Sequence, residues 1–352
     1  PVGGIIADRV NKRNVMVVLD FFTAAVILLF LLFMNSANLI ILLTVTLMLL
    51  YGIAGAYQPS VQASIPALVN QEHFMAANSV INTISSFASF MGPVLGGVLY
   101  SAYGLKTVLW VCTVCFVVSA VMEIFIKIPF HKRDSDGSIW RVVKADFKES
   151  IRFIWKDKPV IGKSLLVICR INLFLSAMIL VALPYLITEV LNLGAAEANR
   201  LYGFANGALA AGGLAGGICA GIFANKLSIQ KSGNLIIASA VCVFPMGAAL
   251  ILCSSGMINY FVITICCFLI MAFSTIFTVQ MMSFIQAETP QSFIGKVIAV
   301  ILTIAMCAQP LGNALYGILF EICKGFEYVV VLFSGVASLL TAVSARNIYK
   351  DF

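Results

Sequence analysis

The side chains that could do chemistry in this chain are few, and most stand inside long apolar runs. Asp20, Glu123 and Arg170 interrupt such runs, as do the amides Asn172, Gln280, Gln309 and Asn313. An ionisable group within a membrane is costly, so it pairs, faces a cavity or marks an ion path. For Asp20 two roles stay open: an ion pair with Arg9 or Arg13, or carriage of a coupling proton or cation. Arg170 either extends to the cytoplasmic surface along its aliphatic stem or touches substrate. Glu123 is expected at the interface. The amides, with Tyr51 and Tyr57, are candidates for polar contacts in an otherwise apolar substrate cavity. Catalytic constellations are missing. His73 and His131 fall in separate loops, which argues against a His-based metal site. Ile161-Gly162-Lys163-Ser164 resembles the end of a phosphate loop, but Asp157 stands where its first glycine belongs. No enzyme, metal or cofactor is expected.

The elements that must position these groups are membrane helices. Hydrophobic residues make up 61% of 352 positions and charged residues 11%, with a mean hydropathy of +1.03. Soluble domains carry about 25% charged residues. The apolar runs are long enough to cross roughly 30 Å of hydrocarbon as helix. Strands of alternating polarity, the mark of a membrane barrel, are absent. Ten spans are expected, near 15–34, 38–57, 78–101, 107–128, 164–187, 202–224, 234–254, 259–283, 297–320 and 328–345. Of 22 Lys and Arg, 18 fall on one side of this arrangement, which the positive-inside rule makes cytoplasmic. The net charge of +7 is therefore a topology signal and not a nucleic-acid footprint. Most of the ten cysteines lie inside spans, where a thiol packs as a small hydrophobe. Between the fourth and fifth spans, 138–156 reads as an amphipathic helix in the headgroup layer, anchored by Trp140 and Trp155.

The chain repeats across that central loop. Gly4-Ile-Ile-Ala-Asp8-Arg9 matches Gly221-Ile-Phe-Ala-Asn225-Lys226, and Pro93 matches Pro310, both at an offset of 217 residues. Halves repeated in this way are how many transporters are built. Two spans separate the central loop from Asn225, whereas only seven residues precede Asp8. Symmetry therefore predicts helices three to twelve of a twelve-helix protein, truncated at its N-terminus. The halves are 1–128 and 164–352, with 129–163 as cytoplasmic linker.

These residues carry a resemblance. Gly4-x-x-x-Asp8-Arg9-x-x-Lys12-Arg13 in a cytoplasmic hairpin resembles the loop 2–3 signature of the major facilitator superfamily, with a degenerate copy at Gly221, Asn225 and Lys226. Gly92-Pro93-x-x-Gly96-Gly97 resembles the antiporter signature of its exporters. Asp20, Pro66-Ala-Leu-Val and Gly295-Lys296-Val297 before Pro310-Leu-Gly312 look like its macrolide-efflux and enterobactin-exporter branch. Asn11 replaces the glycine usual in the loop, and is expected to be tolerated because Asn visits left-handed φ/ψ. The resemblance implies an all-α fold and secondary active transport by alternating access. The implied activity is ion-coupled efflux of a small hydrophobic or siderophore-like molecule, by a monomer in a bacterial inner membrane with central loop and C-terminus cytoplasmic. Uptake, lipid translocation and a non-transporting receptor remain alternatives. It also implies a conformational latch at Gly4, Asp8, Arg9, Lys12 and Arg13, with Asp8 meeting the chain near Gly295–Val297. The glycines Gly92, Gly96 and Gly97, and those from Gly203 to Gly221, are expected where helices cross, as static packing or as a sliding contact. Cysteine labelling in a Cys-free background should find Ser138 and Lys231 inside and Asn35 and Lys324 outside. Labelling of Asn35 and Ser138 from one side would break the span count.

Overall fold

The computed structural model describes residues 11–35, 38–128, 147–191, 193–224, 226–291 and 293–350, and every regular element among them is helical. Helix α1 runs Lys12–Phe33, α2 Leu39–Leu68 and α3 Phe74–Ile124. The second half holds α4 Pro159–Val190, α5 Ala195–Ile222, α6 Ile229–Leu252, α7 Gly256–Glu288, α8 Ile294–Ile322 and α9 Glu327–Tyr349. Nine stretches of the described residues are long and apolar enough to cross a membrane. The expected span 78–101 is not among them, though it is helical within α3. Its Asn78, Asn82, Ser85, Ser86 and Ser89 make it polar for a span. What ends it is Gly104, at φ 76° and ψ 173°, a backbone state that side chains disfavour. Gly325, at φ 88°, likewise closes the turn between α8 and α9, and its N–H donates to Glu327 Oε1 at 2.8 Å.

Several helices outrun their expected limits. Helix α2 continues past 57 to Leu68 despite Pro59 and Pro66 inside it. Pro removes a ladder donor, and the carbonyl that Pro66 leaves free, Gln62 O, accepts from Gln286 Nε2 at 3.0 Å. Only 6% of the apolar stretch of α2 is buried within the protein, although Ile40, Met48 and Tyr51 stand on it fully formed and exposed. In water such a surface would be untenable; hydrocarbon is the solvent that accepts it.

Asn11 is not left-handed. Its φ of −57° and ψ of 117° make it the N-cap of α1, with Oδ1 accepting from Arg13 N–H at 3.0 Å. The loop tolerates Asn because its side chain satisfies a helix-start donor. Gly4, Asp8 and Arg9 lie outside the described residues, as does Asn225. So do 129–146, including Trp140. The described end of the central segment is helical over 147–152 and widens over Phe153–Asp157. It is tied to protein: Lys296 Nζ meets Glu149 Oε2 at 2.6 Å, and Phe153 stacks on Phe293 at 5.7 Å.

The described residues form two compact units. The first comprises those up to Gln71, Met91–Asp157 and Gln286–Leu302; the second comprises Glu72–Phe90, Lys158–Ile285 and those from Thr303 on. In the second unit the core is built on Met178, Met246, Ile263, Ile270, Tyr316 and Tyr349, all fully buried. Its polar tips find partners. Tyr316 Oη and Ser334 Oγ both donate to Phe174 O, at 2.8 and 2.7 Å, where α4 widens over Asn172–Ser176.

Helix α5 shows where the glycines work. A Cβ at Gly212 or Gly216 would strike the α7 backbone at Phe268 O or Ala272 O. On a second face, a Cβ at Gly213, Gly217 or Gly221 would lie 2.9, 2.5 or 2.7 Å from the hydroxyls of Ser86, Thr83 and Ser79 of α3. Ser79 Oγ donates to Gly217 O across that contact. Gly92 and Gly96, by contrast, meet nothing within 4 Å among the described residues, so they mark no helix crossing here. We expect Gly216→Ala to lower stability in detergent by about 1–3 kcal/mol, the usual cost of overpacking. Gly203→Ala, with nothing within 4 Å of its added methyl, should leave it unchanged. Equal unfolding temperatures for the two variants would contradict the close-packed role.

Candidate coupling and substrate site

Within the first unit, α1, α2 and α3 enclose a cavity of about 470 Å³. Helix periodicity builds its walls. Asp20, Thr23 and Ile27 share one face of α1 at spacings of three and four. Ile53 and Tyr57 do the same on α2, and Cys115 and Ser119 on α3. The lining is mostly apolar, with Asp20, Tyr57, Gln58 and Ser119 as its polar groups. That is the usual make-up of a small-molecule site: hydrocarbon for affinity, a few polar groups for orientation.

The carboxylates define its chemistry. Asp20 is buried, and Ser119 of α3 lines the same cavity. Tyr57 Oη donates to Glu123 Oε1 at 2.7 Å, so a lining phenol leads directly to a second buried carboxyl. The other oxygen, Glu123 Oε2, is buried with no hydrogen-bond partner among the described residues. A buried oxygen with spare capacity is where a proton or a cation is accepted, because an unmet acceptor in apolar surroundings is expensive. Glu123 is buried against Tyr57, one residue before α3 ends. The pattern Cys115, Ser119, Glu123 at i, i+4 and i+8 places it on the cavity-facing stripe of α3, a spacing that was open to sequence reasoning.

Arg13 does not pair with Asp20. Its guanidinium contacts Asn14 Oδ1 at 3.1 and 3.2 Å, and donates to Ile124 O at 3.5 Å. Lys12 opens the same helix. Tyr51 is 78% exposed and turns away from the cavity that Tyr57 lines.

The remaining candidates belong to the second unit and are not brought together. Asn172 Nδ2 donates to Ala305 O at 2.9 Å, and Gln280 Nε2 to Ser228 O at 3.3 Å, so both amides bind backbone. Asn313 keeps a buried Oδ1 without a partner, Gln309 is half-buried, and Arg170 is exposed. Gly312 is a packing residue: a Cβ there would lie 2.5 Å from Leu173 O and from Ala177 Cβ. Gly221 packs on Ser79, and Lys226 follows in the turn where its N–H donates to Phe223 O at 2.8 Å. Pro93 and Gly97 lie within the helical run of α3. Among the described residues no three His, Cys, Asp or Glu gather as a metal site.

Comparison with known proteins places this architecture. Two curated relatives, both uncharacterized MFS-type transporters of Bacillus subtilis (strain 168), are similar. YfiS is 24% identical over 170 residues, covering 48% of this chain and 40% of its own length. YkuC is 24% identical over 163 residues, covering 44% and 37%. The aligned stretch thus spans about two fifths of those relatives' length. Among solved structures, a bacterial homologue of the iron transporter ferroportin, outward-facing with soaked iron, gives a TM-score of 0.71 at 18% identity, covering 98% of this chain and 85% of that one. A variant of the E. coli fucose:proton symporter FucP gives 0.74 at 14% identity, covering 98% and 86%. At such identities the likeness is one of fold. The model of the Major Facilitator Superfamily matches residues 1–344. Members of that family are transporters rather than enzymes, and this chain belongs to the Major Facilitator Superfamily.

Proposed function

We propose that the protein is an ion-coupled secondary transporter that expels a small hydrophobic or siderophore-like molecule by alternating access, in the manner of the macrolide-efflux and enterobactin-exporter branch. The observation that carries this reading is the buried Asp20 in a largely apolar cavity, one wall away from the Tyr57–Glu123 pair. The fold itself does not choose the cargo: the similar solved structures are described with iron in one case and fucose in another. The coupling role falls to Asp20, with Glu123 behind it, because each carboxyl is buried and Glu123 accepts from a neutral phenol. A neutral hydroxyl can hold either protonation state of a carboxyl, whereas an arginine would lock it charged. Gly4, Asp8, Arg9, Lys12 and Arg13 serve as the cytoplasmic latch, a charge network that breaks as the protein opens.

In intact cells preloaded with ethidium, Asp20→Asn should cut proton-driven efflux at least tenfold while passive ethidium exchange persists. The neutral amide mimics the loaded carboxyl and removes only its cycling. Driven efflux at the wild-type rate would end the coupling role of Asp20, and ethidium accumulation by wild type would replace export by uptake. The latch is tested separately. Asp8→Asn should leave the protein inserted in the membrane, slow ethidium flux, and change the accessibility of a cysteine placed at the cytoplasmic end of α1. If neither flux nor accessibility moves, the charge cluster only sets topology.

A further inference from the structure

The second unit holds a cavity of a different kind, about 280 Å³ in volume, with no carboxylate or cationic side chain in its lining. Two helical faces form it. On α3, Asn82, Ser85, Ser86 and Ser89 stand at i, i+3, i+4 and i+7; on α7, Met271, Ser274, Thr275 and Thr278 repeat the same spacing. That spacing normally carries the apolar stripe of a helix. Here seven of those eight positions are polar, in helices otherwise clothed in hydrocarbon. Ser176 of α4 adds another hydroxyl. The close approach of Gly213 to Ser86 fixes how near α5 brings α3 to the cavity wall.

The hydrogen-bond state of these groups tells what they would accept. Thr275 Oγ1 donates to Met271 O at 2.8 Å, Thr278 Oγ1 to Ser274 O at 2.9 Å, and Asn82 Nδ2 to Asn78 O at 2.9 Å. The threonine hydroxyls have spent their protons and face the cavity as acceptors only. The side-chain hydroxyls of Ser85, Ser86, Ser89 and Ser274 make no hydrogen bond to the described residues, so each can still donate and accept. An anion would meet the acceptor-only threonines. A cation would find no counter-charge, and would leave the serine protons unmatched. A neutral hydroxyl, itself donor and acceptor, complements both sets. The volume far exceeds the ~30 Å³ share of one water, so the occupant is a molecule rather than a single ion.

We propose that this cavity binds a neutral polyhydroxylated ligand, holding two or more of its hydroxyls between the serines of α3 and the Ser274–Thr278 face of α7. This deepens the transporter reading by narrowing the cargo to one that presents alcohol or phenol groups. The test is binding rather than flux, so it can fail while coupled transport stands, and the reverse. Purified protein would be equilibrated with radiolabelled D-sorbitol, D-glucose, tetraphenylphosphonium or benzoate. Two variants remove oxygens with little change of shape: Ser274→Ala with Thr275→Val and Thr278→Val, and Ser85→Ala with Ser89→Ala. Size-exclusion profile and helical circular dichroism establish that each remains folded. We expect saturable binding of sorbitol or glucose that weakens tenfold or more in either variant. Absence of saturable binding by both neutral probes overturns the proposal. So does binding that both folded variants retain in full, or a loss in the variants confined to the cation or the anion.

Discussion

Hydrocarbon offers no hydrophobic drive to bring one apolar helix against another, because lipid tails serve a leucine as well as protein does. Everything in this fold follows from that constraint. Backbone polar groups are met within each helix, since the membrane core would leave them unsatisfied. Helices then hold one another only where backbones come close or where polar groups meet. Helix α5 does both at once. Its Gly212 and Gly216 admit the α7 backbone, while Gly213, Gly217 and Gly221 admit the hydroxyls of α3. The two rows are one residue apart, so a single helix presents two close-packed faces, and side chains larger than hydrogen would close both.

The same constraint explains which parts of the molecule were legible in its sequence. Helical class, span placement and the 217-residue repeat all follow from apolar runs and from spacing, and the family assignment rests on residues quoted from them. Contacts are another matter. Gly92 and Gly96 carry the same motif logic as Gly212 and Gly216, yet the former meet open space and the latter meet backbone. A glycine pattern states that approach is allowed; only the partner helix decides whether it happens. Span 78–101 shows a related limit. Its serines and asparagines lower its apolarity, and they do so because they face α5 and a cavity rather than lipid. For Glu123, position along the helix does not give its partner; its stripe on α3 sets it against Tyr57.

Polar residues inside the spans separate into two groups once their hydrogen bonds are followed. Thr23, Thr44, Thr113 and Thr341 return their hydroxyls to the carbonyl four residues back, a local bond that needs no partner helix. Asn172 and Gln280 reach carbonyls elsewhere in their unit and so act as fasteners. Interhelical bonds of this kind are worth ~0.6 kcal/mol on average, small individually but directional.

Capacity is left unspent among the described residues at Glu123 Oε2 in the first unit and, in the second, at Gln280 Oε1, Asn313 Oδ1 and the cavity hydroxyls of Ser85, Ser89 and Ser274, among others. Stability gives no reason to keep them. An apolar residue at any of these positions would cost the bilayer nothing and would remove an unmet polar group. A polar atom without a partner in the fold is open to one that comes and goes. For a carboxylate that partner is a proton or a cation, and for a row of uncharged hydroxyls it is another hydroxyl. On the functions proposed, the two chemistries fall in separate cavities, so coupling and recognition do not compete for the same side chains.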